Sequence, residues 1–303
     1  MTITFRAKTK EGFTVDSPLQ PFFFPDGAAH VKGGDDFNPE PYEYQLADIR
    51  GLDHSDLFVL AMWENVCTQY GQKKVVLLPY LPGARADRGV PFGANVYGEF
   101  LTNLFLDQVI TLDPHSAVAP MMIMNGDQPH DMGNNVTVFP FERIIKREIQ
   151  NVESDQMPQP YVGVIAPDKG AVDRATRAAR VMGIPVYRAE KSRDFETGRL
   201  TGFHMIDELP SEGRLLIVDD ICDGGGTFIG LAEAAGLDPE RVDLWVTHGV
   251  FSKGVNGLLD RFGAVHTTDS YFQPPAEPTF SPESTSLVKV HHLLPYLTEA
   301  IDV

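Results

Sequence analysis

Cysteine is scarce: Cys67 and Cys222 are the only two in 303 residues. Neither belongs to a C-x-x-C pair and both lie in apolar-patterned segments, so they read as buried thiols of a reducing compartment. Positive charge is short too, with 25 Lys and Arg against 42 Asp and Glu and a formal net charge of -17. That balance excludes a general binder of nucleic acid or anionic membranes, which needs a basic face, but leaves room for a small basic pocket. Long apolar runs are missing: no stretch approaches the roughly 18 residues of a membrane span. The opening M-T-I-T-F-R-A-K-T-K has no apolar core of signal-peptide length, so a cytosolic protein is expected. Low-complexity tracts and short repeats are absent as well.

What is present is a chain 43% hydrophobic and 22% charged, enough for a large core and for two domains of ordinary size. Residues 1–50 read as short strands broken by Pro and Gly. Helical spacing runs from about His54 to Tyr70, with Leu57, Leu60, Ala61, Trp63 and Val66 on one face. K-K-V-V-L-L-P (Lys73–Pro79) has the apolar continuity of a buried parallel strand. Asn95–Leu106 reads as a second helix and Gln108–Leu112 as a strand ending at Asp113-Pro114-His115. The same order recurs: strand Tyr161–Ala166, an Ala- and Arg-rich helix Val172–Met182 stopped by Gly183, strand Ile184–Tyr187, strand Leu215–Val218, helix Thr227–Ala235 and strand Val242–Val246. This alternation predicts an α/β fold with parallel sheets in two units, with a seam near Phe139–Gln150. Asn151–Gln159 and Ser270–Ser286 read as loops, and Leu287–Ile301 as a strand-to-helix finish.

The segment D-D-I-C-D-G-G-G-T (Asp219–Thr227) concentrates the chemistry. Backbone N–H groups of a Gly-rich turn, continued by a helix N-terminus, form an anion nest, and Thr227 is expected to add a hydroxyl and to cap the helix. Asp219 and Asp220, at the end of a strand, suit ribose hydroxyls or Mg²⁺, and Mg²⁺ reconciles carboxylates with phosphates. The plain alternative is a tight turn with helix-capping aspartates. Cys222 sits inside this loop, where oxidation would matter if it reached the thiol.

The loop resembles the phosphoribosyl-pyrophosphate loop shared by type I phosphoribosyltransferases and ribose-phosphate diphosphokinases, and the first half of the chain resembles only the latter. V-L-L-P-Y-L-P-G-A-R-A-D-R (Val76–Arg88) is similar to the family's P-Y-x-x-Y-A-R-Q-D-R, which implies ATP contacts by Arg85 and Arg88, with Asp87 fixing their geometry. Arg suits phosphate because its planar fork donates two parallel hydrogen bonds. F-P-D-G (Phe24–Gly27) resembles the family's F-S-D-G and adds Phe24 and Asp26 to the implied ATP site. T-L-D-P-H-S (Thr111–Ser116) resembles the D-L-H segment, implying that His115 helps bind Mg²⁺. A-P-D-K-G-A-V-D-R-A (Ala166–Ala175) resembles S-P-D-x-G-G-x-x-R-A, implying Asp168 as a contact to metal or ribose hydroxyls. The helix that follows carries Arg174, Arg177 and Arg180, some of them solvated. Lys191 and Arg193 match the family's mobile catalytic loop, where they neutralise charge developing on the transferred group. Asp219, Asp220, Asp223, Gly224, Gly225, Gly226 and Thr227 are implied to hold the ribose phosphate. T-H-G and T-D-S-Y complete the ordered set, which spans about residues 22–301.

The resemblance implies two type I phosphoribosyltransferase-like domains, 1–142 and 143–303, each a mostly parallel sheet flanked by helices, with the last helix packing back on the first. It implies Mg²⁺-dependent transfer of the diphosphoryl group of ATP to the anomeric hydroxyl of ribose 5-phosphate, giving phosphoribosyl pyrophosphate and AMP, in a homodimer or larger homo-oligomer. Departures from the pattern are specific. Ala28 replaces the family's Glu, Ala86 replaces Gln, and the segment after Arg88 is shorter than the usual basic loop. Gly224 stands where relatives carry Thr in D-T-A-G-T. The lost hydroxyl removes a donor, worth about 1 kcal/mol, and makes the nest roomier, so a substituted phosphate such as that of ADP-ribose is an alternative acceptor. A further alternative is a non-catalytic regulatory homologue. A phosphoribosyltransferase is disfavoured because its loop does not require the A-R-A-D-R half.

Overall fold

The computed structural model describes residues 2–51, 53–125, 135–149, 160–193, 200–271 and 287–303; the expected loop 151–159 and most of the expected loop 270–286 lie outside the described residues. Two compact units divide the chain, Met1–Phe139 with Leu294–Val303, and Pro140–Leu293. Each is a mostly parallel sheet with helices between its strands, the α/β architecture that the alternation predicts. No helix among the described residues is long and apolar enough to cross a membrane.

In the first unit the strands are β1 (Ile3–Thr9), β2 (Thr14–Asp16), β5 (Tyr42–Ile49), β6 (Lys73–Leu77), β7 (Gln108–Leu112) and β8 (Val136–Phe139), in the order β2-β1-β5-β6-β7-β8. From β5 to β8 the pairing is parallel, while β1 runs antiparallel to both neighbours. A separate hairpin joins β3 (Gln20–Phe23) to β4 (Ala29–Lys32). All five residues of β7 are buried, and only Lys73 of β6 is exposed, which is why these strands read as apolar runs without alternation. Helix α1 (His54–Gln69) starts at Asp53, whose side chain accepts from the Ser55 N–H. Of its predicted inner face, Leu57, Leu60 and Trp63 are buried, Ala61 and Val66 partly so, and Trp63 stacks on Phe5 at 5.7 Å.

Helices α2 (Gly93–Thr102) and α3 (Val118–Asn125) cross so closely that a Cβ at Gly98 would lie 2.5 Å from Met122 Cβ and 2.9 Å from its carbonyl carbon. The chain terminus is tied to the same unit: the Gln108 side-chain amide donates to Ala300 O (2.9 Å) and its carbonyl accepts from Asp302 N (2.9 Å).

The second unit begins with α4 (Glu142–Ile149); a boundary between 142 and 143 would cut this helix after its first residue. Its remaining strands are β9 (Gly163–Ala166), β10 (Val186–Arg193), β11 (Leu200–Met205), β12 (Leu215–Cys222), β13 (Val242–Gly249), β14 (Val265–Thr268) and β15 (Val288–His291), ordered β11-β10-β9-β12-β13-β14-β15. All pairs are parallel except β10–β11. Helices α5 (Val172–Met182), α6 (Gly226–Ala234) and α7 (Asn256–Leu259) lie between them. The chain leaves β9 towards β10 on one side and returns to β12 on the other. Strand order therefore reverses at β9/β12, the place where open α/β sheets leave a crevice at their carboxyl ends. Helix α5 ends at Gly183 with φ +69, the left-handed cap that glycine adopts without steric cost. The last helix, α8 (Leu294–Thr298), belongs to the first unit, where Tyr296 packs edge-on to Phe139.

Gly98→Ala tests the helix crossing. Helix propensity favours Ala over Gly by about 1 kcal/mol, but overpacking against backbone that cannot yield costs about 1–3 kcal/mol. The variant is expected to be less stable, with a lower urea midpoint at unchanged m-value.

Candidate active site

The chemistry of the second unit gathers at the carboxyl ends of β9, β10 and β12. Asp168 follows β9 and caps the short turn into α5, its Oδ1 accepting from the N–H groups of Gly170 (2.9 Å) and Ala171 (3.2 Å). Its Oδ2 takes the Lys191 ammonium at 2.5 Å. Burial pushes the Asp168 carboxyl up, but the Lys191 hydrogen bond and charge, with the two backbone donors, outweigh it and hold it below its ordinary value. Lys191 and Arg193, expected on a loop, instead lie on β10, where Lys191 is opposite Phe203 and Arg193 opposite Leu200 of β11. Pairing with β11 makes this part of the segment strand rather than loop. The Arg193 side chain lies outside what is described.

Asp219 and Asp220, expected just past a strand ending at Val218, lie within β12, which runs on to Cys222, and their side chains are nearly buried, 15% and 5% exposed. One cation serves both: Arg174 Nη1, from the first turns of α5, lies 3.3 Å from Asp219 and 3.6 Å from Asp220. Arg174 reaches them because Ala175, Ala178 and Ala179 let α5 lie close against the sheet. The other two arginines of the helix have different fates. Arg177 pairs with Glu142 (3.3 Å) and covers the Phe141 ring, and Arg180 is exposed. Burial, and then the Asp220 charge, push Asp219 up to about 8 against the opposing pull of Arg174.

The glycine loop follows. Gly225 is the N-cap of α6 at φ +77 and makes no side-chain capping bond, so the first N–H groups of α6 keep their anion-binding capacity. This corrects the expectation that Thr227 caps the helix: Thr227 is the second residue inside it, past the capping position. The expected roominess at position 224 is corrected as well. A Cβ at Gly224 would meet the Lys253 stem, Cδ at 3.2 Å and Cε at 3.3 Å, so that space is filled, whereas a Cβ at Gly226 would meet nothing within 4 Å. Cys222 is fully buried and its thiol is pushed up to about 12 by burial, which makes it a packing residue.

In the first unit, the A-R-A-D-R turn after β6 and the D-P-H turn after β7 leave neighbouring parallel strands at the same sheet edge. Arg85, Arg88 and His115 are exposed there, with Asp87 partly buried and 3.9 Å from Arg88. Phe24 and Asp26 lie elsewhere, on the β3–β4 turn. Asp26 accepts from Ala28 N (3.0 Å), a turn-forming role, and Phe24 packs on Phe22 and His30 at 5.0 and 5.3 Å. T-H-G and T-D-S-Y also prove architectural: His248 Nδ1 meets Ser270 Oγ at 2.8 Å, and Thr268 Oγ1 donates to Thr247 O at 2.7 Å. Among the described residues no three His, Cys, Asp or Glu side chains converge as a metal cage.

Comparison with known proteins agrees with this geometry. Residues 139–272 match the phosphoribosyl transferase domain family. In fold the chain is similar to phosphoribosylpyrophosphate synthetase from Mycobacterium smegmatis, with a TM-score of 0.68 over 94% of this chain and 89% of that one at 19% identity. In sequence it is similar to ribose-phosphate pyrophosphokinase of Maricaulis maris, 30% identical over 288 residues, covering 92% of this chain and 86% of that protein. The Pyrococcus abyssi protein of the same name is 31% identical over 196 residues, covering 63% of this chain and 62% of that protein. The class is thus a transferase built on the phosphoribosyltransferase fold. The chain belongs to the ribose-phosphate pyrophosphokinase family.

The raised Asp219 gives a signed prediction for the metal-free protein. A folded value above 3.8 means that folding favours the protonated acid, so its stability contribution is present at low pH and is lost as pH rises towards about 8. Asp219→Asn removes that loss: its Tm relative to wild type is expected to rise between about pH 5 and about pH 9, measured by thermal scans in chelator.

Proposed function

We propose that the chain transfers the diphosphoryl group of ATP to the anomeric hydroxyl of ribose 5-phosphate, in a Mg²⁺-dependent reaction that yields phosphoribosyl pyrophosphate and AMP. One observation carries this reading: the Asp168–Lys191 pair, the Asp219–Asp220 pair and the uncapped glycine loop all sit at the strand-order reversal of one sheet. The loop N–H groups bind the acceptor's phosphate, and the Asp219 and Asp220 carboxylates of β12 accept hydrogen bonds from the ribose hydroxyls. Attack on the β-phosphorus leaves the anomeric oxygen bonded to phosphorus and AMP as the leaving group. Such a transfer asks for positioning and charge neutralisation rather than covalent help. Lys191 and Arg193 serve the charge that develops on the transferred group, and Arg85 and Arg88 serve the triphosphate.

The donor set fits magnesium. Asp168, Asp219 and Asp220 are oxygen donors, and the β12 pair carries more negative charge than Arg174 offsets. Magnesium needs only one or two carboxylates beside substrate phosphates. When bound it supplies neutralisation of the polyphosphate. Asp168 is the protein ligand proposed in the second unit and His115 the one proposed in the first.

A second reading makes ADP-ribose the acceptor; a Cβ built on Gly226 would meet no atom within 4 Å, so the loop is open at that residue. Purified protein is to be assayed for AMP release from ATP and Mg²⁺ with either acceptor. AMP is expected only when an acceptor is present, and its absence with both acceptors overturns the proposal. Lys191→Ala is expected to lower kcat by about 100-fold or more while the thermal shift produced by ribose 5-phosphate persists.

A further inference from the structure

The turn after β13 closes over the glycine loop from outside. Val250 N and Phe251 N both donate to Cys222 O, at 2.9 and 3.0 Å, and Ser252 Oγ donates to Asp223 Oδ1 at 2.5 Å. Phe251 takes a positive φ of 47°, which turns the chain back at this point. Further along, Leu258 Cδ2 lies 3.0 Å from where a Cβ on Gly225 would stand. These contacts fix the turn against the nest and lay the Lys253 stem beside Gly224, with Cγ, Cδ and Cε at 3.6, 3.2 and 3.3 Å from its Cβ position. The ammonium is one bond past Cε and so lies within about 5 Å of that position.

Three further observations bear on its role. The neighbourhood is acidic, with Asp219, Asp220 and Asp223, so a phosphate entering the nest needs a cation. Two nearby cations are engaged, Arg174 by the β12 pair and Lys191 by Asp168. Lys253 is exposed, and no hydrogen bond or ion pair engages it among the described residues. The stem also stands 3.2–3.3 Å from where a Cβ at 224 would lie, so a threonine there would have to push this lysine aside by a few tenths of an ångström.

We infer that Lys253 is a specificity-determining residue of the phosphate nest, its ammonium pairing with the acceptor phosphate that stays on the ribose, in place of a hydroxyl at position 224. The inference rests on the ribose-phosphate acceptor named above. An ammonium adds full charge where a hydroxyl adds a dipole, and charge-assisted bonds to phosphate are the stronger kind.

The test uses Lys253→Met, which keeps the methylenes over Gly224 and removes the charge. Binding of ribose 5-phosphate and of ADP-ribose is measured by calorimetry without ATP, and KM and kcat are measured by AMP release. Expected is a Kd, and an acceptor KM, about 10- to 100-fold higher for whichever acceptor wild type binds, with kcat and the KM for ATP little changed. The Lys253→Gly, Gly224→Thr double variant is expected to recover acceptor binding, because the hydroxyl then has its space. Equal acceptor Kd in wild type and Lys253→Met overturns the inference, as does failure of wild type to bind either acceptor. If wild type binds an acceptor but releases no AMP, the diphosphoryl-transfer reading fails while Lys253 is still judged on Kd.

Discussion

Two carboxylates share one guanidinium near the carboxyl end of a buried strand, and much of the second unit is arranged around that contact. Arg174 reaches Asp219 and Asp220 only because alanines on α5 allow the helix to lie close to the sheet. The pair is placed beside Asp168 only because strand order reverses between β9 and β12. Burial, and then the neighbouring Asp220 charge, raise Asp219 against the pull of Arg174.

The rest of the chemistry follows from local backbone. An α-helix leaves its first N–H groups without intrahelical partners, and α6 begins at a glycine with no side chain to take them. The Asp168 carboxylate does cap its turn, and it also holds Lys191. The cation is therefore kept at the strand edge in a protein whose net charge is -17. Several motifs belong to architecture instead. Asp26 forms a turn, and the histidine and serine of T-H-G and T-D-S-Y lock two parallel strand ends together. Buried polar side chains of this kind need partners, and the conformation follows from satisfying them.

Much was legible in sequence because its cause is local. Apolar continuity marks β6 and β7, which are buried along nearly their whole length, and the Ala/Arg pattern followed by Gly183 bounds α5 at the residues observed. The glycine-rich nest before a helix needs only neighbouring residues to exist. Other features had no local mark. Lys191 and Arg193 sit in a polar stretch that reads as loop, yet pairing with β11 makes it strand. No periodicity says which of Arg174, Arg177 and Arg180 turns inward. Nothing in the sequence singles out Lys253, and Gly224 reads as an open position, because their proximity depends on how the turn after β13 folds back.

The linear order of residues was sufficient for the α/β class, for the glycine turn before a helix and for the family, since strand burial, turn chemistry and motif order are short-range properties. Which charges meet was decided by tertiary structure alone. Arg174 meets Asp219 across 45 positions, and Lys191 meets Asp168 across 23. Such pairs depend on sheet order and helix approach, which bring distant strand ends within a few ångströms and leave neighbouring residues on the same helix apart. The same reason explains why the space beside Gly224 belongs to Lys253, a residue from the next strand's turn.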